Sequence, residues 1–140
     1  MTADDEIAIV QEREKSRRAR EAAERNAAAQ DFDTAANRLY YAALHAAKAV
    51  LLTEGLDPKS HRGVKRLLVI HFVAPGLLPD WIEPALSRLE TERDLADYTS
   101  GFTVPAARYE SCRIEGERLL DALEAFLERV TGVPKPTAGA

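Results

Sequence analysis

The sequence predicts an all-α fold, an up-and-down bundle of four to five helices, and three observations carry that prediction. Alanine and leucine dominate the apolar share, while aromatic residues make up only 6% and β-branched residues are sparse, a mixture that favours helix at nearly every position. Apolar residues recur at three- and four-residue steps through most of the chain. At 140 residues the chain can bury one core but not two, and 46% hydrophobic with 30% charged residues is ordinary for a water-soluble domain. Residues 1–132 are therefore read as a single helical domain. The segment 133–140, rich in Pro, Gly and Ala, is read as a disordered tail.

The first helix is expected from about Asp4 to Ala29. Its middle, "EREKSRRARE", is dense in both signs and reads mostly as a solvated face, and its apolar stripe is thin: Ile7, Val10, Ala19, Ala22 and Ala23. The second helix, "DFDTAANRLYYAALHAAKAVLLTEG", has the strongest signal. Asp31 or Asp33 caps it and Gly55 ends it. At 100° per residue, Ala35, Leu39, Ala42, Ala43, Ala46 and Val50 share one arc. Alanines there permit close approach of neighbours, which makes this the central helix. Arg38, Tyr41, His45 and Lys48 share nearly the opposite arc and read as a subunit interface or bundle groove.

A third helix opens at Ser60 and carries Val64, Leu67, Leu68, His71 and Phe72. A strand through "LLVIHFV" is the lesser alternative. The fourth helix starts either at a capping box of Asp80 and Glu83 or with Pro84 in its first turn. The fifth follows "TSGFTVP", with Thr103 as its cap, and traces a stripe from Tyr109 and Cys112 through Gly116, Leu119, Leu120, Leu123, Phe126 and Leu127 to Val130. The lone Cys112 reads as a small buried hydrophobe.

The formal net charge of −4 neither demands nor excludes nucleic acid. The acidic N-terminus has no secretory pattern and the longest apolar run is too short for a bilayer, so a cytoplasmic protein without membrane attachment is expected. The histidines His45, His61 and His71 lack the spacing of a metal site, and no phosphate loop or nucleophile elbow is present; no metal and no cofactor are expected.

Two stretches carry chemistry. On the fourth helix the apolar stripe Ile82, Leu86, Leu89 continues onto Arg93, which points a guanidinium toward the interior or an interface, where it needs a partner. Asp97, four residues on, is the nearest in sequence. Either the two form a structural ion pair, or the guanidinium faces a phosphate in a crevice, a task suited to its planar fork of donors. The segment "PKSHRGVKRLLVIHF" holds Lys59, His61, Arg62, Lys65 and Arg66 around a helix N-terminus with no acidic residue. It reads as a solvated basic face or as a phosphate anchor that lends affinity without base specificity.

"AANRLYYAALHAAKAVLLTEGLDPKSHRGV" followed by "ERDLADY" resembles HEPN domains (higher eukaryotes and prokaryotes nucleotide-binding), in particular their small stand-alone prokaryotic branch. The resemblance spans roughly Ala22 to Val130 and rests on Tyr40–Tyr41, His45, "KSHRG" and the "RxxxDY" element taken jointly. It implies a helical bundle that usually dimerises, with a metal-independent ribonuclease site at a late helix junction in active members. It also implies a minimal nucleotidyltransferase as partner in a toxin–antitoxin-like pair. The family signature is an arginine, a polar residue and then a histidine. Here Arg93 and Asp94 match the first two and Tyr98 stands at the histidine position. A phenol, with a pKa of about 10 against about 6.5 for imidazole, is the wrong form for a base near neutral pH. Asp97, or His45 or His61, would have to replace it. The resemblance thus implies a homodimer binding RNA or nucleotide phosphates, with Arg93, Asp94, Asp97 and Tyr98 as its candidate catalytic set. The alternatives are a non-enzymatic dimerisation or adaptor module in which Arg93 and Asp97 are structural, and a metal-free hydrolase of a small nucleotide.

Overall fold

The computed structural model describes residues 1–138. Its five α-helices are α1 (Ala3–Ala28), α2 (Phe32–Leu52), α3 (His61–Leu68), α4 (Ile82–Tyr98) and α5 (Ala106–Thr131), with no strand among the described residues. The all-helical bundle read from composition and periodicity is the one found. The last two residues of the expected tail, 139–140, lie outside the described residues.

The fold is built around α2. Thirteen of its 21 residues are buried, and seven of those are alanines. With only a methyl group at so many positions, neighbouring backbones approach closely, and α2 packs against each of the other four helices. The predicted arc Ala35, Leu39, Ala42, Ala43, Ala46, Val50 is fully buried. Asp31 is the cap, its carboxylate accepting from Thr34 N at 3.2 Å. A three-residue link, with Gln30 in the left-handed region at φ 63°, folds α1 back along α2.

Helix α1 corrects the sequence reading. Ile7 and Val10 are exposed, and the buried line is Ile9, Arg13, Ser16, Ala19, Ala23. Hydrophobicity alone misplaces the face because two of its members are polar groups satisfied inside. Ser16 Oγ donates to the Ala42 carbonyl at 2.8 Å, and Arg13 reaches Glu124 of α5 through Nε at 3.2 Å and Nη2 at 2.8 Å.

Helix α3 is capped by Ser60, which accepts from Gly63 N at 2.9 Å, and widens into a π-helical turn over Val69–Val73 that seats Phe72 edge-on against Phe126. Of its expected apolar positions, Leu67 and His71 stay half-buried. The Asp80–Glu83 capping box does not form. Helix α4 begins after Trp81 without a side-chain cap, and Pro84 occupies its first turn, where a missing N–H costs nothing. Thr103 does not cap α5 either. Val104 N is held by Asp33 Oδ1 at 2.8 Å and Pro105 is extended, so the helix starts only at Ala106. The α5 stripe is buried from Tyr109 to Leu127, whereas Val130 is exposed. Burial pushes the Cys112 thiol up to about 12, in keeping with a packing role. No helix among the described residues is long and apolar enough to cross a membrane.

The α2–α5 contact is tight at Gly116, where an added Cβ would stand 2.8 Å from Leu39 Cδ2 and 2.9 Å from its Cγ. Gly116→Ala gains roughly 1 kcal/mol of helix propensity, but overpacking a buried leucine costs about 1–3 kcal/mol. The expected net effect is a melting temperature lowered by roughly 3–6 °C, read by thermal denaturation. A rise would mean that Leu39 moves aside freely.

Candidate functional site

The adjacent tyrosines of α2 point in different directions and organise two linked networks. Tyr41 is half-buried and accepts a hydrogen bond from Arg93 Nη1 at 2.8 Å. Tyr40 is 1% exposed and turns its phenol to the other side, donating to Glu90 Oε2 at 2.9 Å. His61 Nδ1 lies 3.0 Å from the same phenol oxygen. Since that phenol gives its proton to Glu90, His61 Nδ1 carries the hydrogen of this second bond. Lys65 Nζ completes the set by donating to Glu90 Oε1 at 2.8 Å.

Arg93 is only 8% exposed, as its place on the apolar stripe predicts. Its guanidinium carbon lies 4.9 Å from the Tyr40 ring centre, 5.5 Å from Tyr41 and 5.7 Å from Tyr98. Nη2 approaches Asp94 Oδ1 to 2.7 Å, yet the N–H directions miss that oxygen, so among the described residues neither Arg93 Nε nor Asp94 Oδ1 has a hydrogen-bond partner. Burial works against the charge on Arg93. The Tyr41 oxygen and the Asp94 carboxylate outweigh it, and the pKa lies above the ordinary arginine value. The site therefore holds a permanent, nearly buried cation whose Nε–H has no partner among the described residues.

The Arg93–Asp97 pair read from i,i+4 spacing is not formed. Side chains on a helix lean toward its N-terminus, so an acid placed after a base is the poorer orientation. Asp97 instead accepts from Asn37 Nδ2 at 2.8 Å, and Asn37 Oδ1 accepts from Arg38 Nε at 2.9 Å and Nη2 at 2.8 Å. Asn37 thus joins α2 to the end of α4 beside the Arg93 cluster. Tyr98, 74% exposed, closes the cluster only loosely on the solvent side.

The other predicted residues are divided. Of the basic segment, His61 and Lys65 turn inward to Glu90, Lys59 pairs with Asp57 at 2.9 Å, and Arg62 and Arg66 are exposed. Of the stripe on α2, Tyr41 and Arg38 reach the Arg93 neighbourhood. His45 does not; its Nδ1 donates to Glu12 Oε2 of α1 at 2.6 Å, with Lys48 adding its charge nearby. Sequence reasoning missed Asn37, Tyr40 as a polar anchor, Glu90, and the buried Glu92, which Arg108 of α5 holds at 2.8 and 3.0 Å. Glu90 had one legible signal, its position three residues before Arg93 on the same helix.

A model of the HEPN domain matches residues 11–133, most of the chain. The chain belongs to the HEPN domain family. Relatives agree with this. A Methanocaldococcus jannaschii protein named "Putative toxin" is 32% identical over 99 residues, 71% of this chain and 73% of that protein. A second protein of the same name and organism is 26% identical over 114 residues, covering 81% and 78% of the two chains. A Gloeobacter violaceus protein, named only as a UPF0332 protein, is 42% identical over 67 residues, 48% of this chain and 53% of that one.

In this HEPN chain Arg93 and Asp94 are in contact, with the exposed Tyr98 beside them. What surrounds them is also charged. Glu90 would be raised by burial, but the hydrogen bonds from Lys65 and Tyr40 and the charges of Lys65 and His61 hold its carboxyl below the usual glutamate range. Burial and the Glu90 contact push the Tyr40 phenol well above its ordinary value, so it remains a neutral donor. A depressed carboxyl stabilises the fold above its unfolded pKa, about 4.3, and that contribution disappears as pH falls through its lower folded value. Glu90→Gln is expected to lower the melting temperature at pH 7 and to flatten its fall between about pH 5 and pH 3. Glu12, held low by His45 although burial opposes it, retains its own share of the acid slope. Melting curves of both proteins across that range are the check; parallel profiles would contradict the network.

Proposed function

We propose that this HEPN chain binds RNA or nucleotide phosphates at Arg93 and serves as the toxin-like member of a pair whose partner is a minimal nucleotidyltransferase. In this reading it acts as a homodimer with two Arg93 clusters facing one shared cleft. One observation carries the proposal: a guanidinium that is almost buried, braced by three tyrosine rings, and left with its Nε–H unpartnered among the described residues. A purely structural arginine in such a place would be expected to have its donors saturated by protein groups. A phosphate oxygen supplies the acceptors that the fork lacks. The names of the two Methanocaldococcus jannaschii relatives support the toxin-like part of the reading.

Metal-independent cleavage of RNA is the activity this site would support, with Arg93 stabilising charge on the phosphorane and Asp94 and Asp97 as its acidic neighbours. A base must then replace the histidine of the signature. His61, beside the Tyr40 and Tyr41 rings at 5.6 and 6.0 Å, is nearer to that role than His45, which is tied to α1. The tyrosine at position 98 favours the second reading, a binding or adaptor module without turnover.

Expression without a partner is expected to arrest growth for the wild-type chain and not for Arg93→Ala. The purified variant should keep its helical content while losing about 10- to 100-fold in RNA affinity, the equivalent of the 1.5–3 kcal/mol carried by hydrogen bonds to a charged group. Labelled RNA incubated with EDTA separates cleavage from binding. Identical behaviour of the two proteins would refute a functional arginine.

A further inference from the structure

The charge-dense stretch of α1 is not one uniform solvated face. Its cations fall into two groups. Arg13 and Arg20 bond to Glu124 and Asp121 of α5, and Arg17 is held between Glu14 and Glu21. Lys15, Arg18 and Arg25 lie on a different stripe, with Ala19 and Ala22 between them at helical spacing. This stripe faces Arg38 and His45 of α2 across a cleft of about 380 Å³. Among the described residues that line this cleft there is no carboxylate. Among the described residues Lys15 and Arg25 have no ion-pair partner, and the 74%-exposed Arg18 touches Glu14 at 3.3 Å. Glu12 bonds His45 and also feels the charge of Lys15. In a chain of net charge −4, a cleft lined by four Lys and Arg side chains and no carboxylate is a local reversal of sign.

The cleft also leads somewhere. Arg38 lies 5.3 Å from the Tyr41 ring centre and Arg93 5.5 Å from the same centre. One aromatic ring therefore separates the outer cations from the buried one. We infer that the α1–α2 cleft is a second phosphate site, which carries the backbone of single-stranded RNA while a neighbouring phosphate of the same strand sits at Arg93. This rests on the phosphate-binding reading of Arg93 and extends it from an isolated anion to a polynucleotide. The alanine floor leaves room for a sugar–phosphate chain, and long lysine and arginine side chains suit sequence-independent contacts. An acidic protein segment would need the same charge but has no reason to continue past Tyr41 to a buried guanidinium.

The test is fluorescence anisotropy with a labelled oligouridylate of roughly 12 nucleotides, titrated at several salt concentrations. Three proteins are compared with wild type: Lys15→Gln/Arg18→Gln/Arg25→Gln, its charge-conserving counterpart Lys15→Arg/Arg18→Lys/Arg25→Lys, and Arg93→Ala. Each phosphate contact on a single strand contributes about 0.7 to the slope of log K against log salt. The glutamine triple variant is expected to lose at least about tenfold in affinity and roughly 2 in slope. The charge-conserving variant should retain both, and mononucleotide binding should be unchanged in each. Wild-type affinity and slope in the glutamine variant would overturn the cleft, and if Arg93→Ala alone abolished binding the Arg93 reading would stand without it. Loss in the glutamine variant with full binding by Arg93→Ala would support the cleft and reject the Arg93 reading. Salt-insensitive or absent RNA binding by wild type overturns both.

Discussion

Everything in this bundle answers to the near-complete burial of α2. A helix with neighbours on almost every side can keep polar groups only where another element brings partners to them. Its alanines solve the packing problem, and its two tyrosines create the polar one. The Tyr40 phenol, sealed from water, is bonded by groups from two other helices: Glu90 of α4 and His61 of α3. The Tyr41 phenol calls on Arg93. The candidate site is thus a by-product of the central helix: the residues that satisfy its two phenols are those that gather around Arg93.

The fold was legible because it depends on periodicity, which survives without knowledge of neighbours. The arc of α2, the Ser60 cap and the stripe of α5 could be read from spacing alone. Errors came where one helix borrows from another. The inward face of α1 contains Arg13 and Ser16, whose burial makes sense only when Glu124 and the Ala42 carbonyl are known to be opposite. The start of α5 depends on Asp33, some seventy residues earlier in the chain, gripping Val104 N.

The same distinction governs the site. That Arg93 faces inward follows from Leu86 and Leu89, and it does so. Which acid accompanies it does not follow, because spacing offers Asp97 while side-chain direction delivers Asp94. The basic segment around Ser60 looked free of acid, since nothing in it is acidic; Glu90 arrives from another helix and engages two of its five members. Charge read along a sequence overstates what is available to a ligand. The converse holds on α1, where a stretch that looked self-neutralising leaves Lys15 and Arg25 without an ion-pair partner among the described residues.

The ring that Arg38 and Arg93 share sets a rule for occupancy. Two guanidiniums within about 5.5 Å of one centre each strengthen the field at the other. A small anion settling on either one weakens the attraction its neighbour can offer to a second, and the two free anions also repel. Separate mononucleotides would therefore fill the pair with negative cooperativity. A strand whose phosphates are already joined escapes that penalty, because its second charge arrives at high effective concentration. Geometry of this kind ranks ligands by their length before it reads anything about their bases.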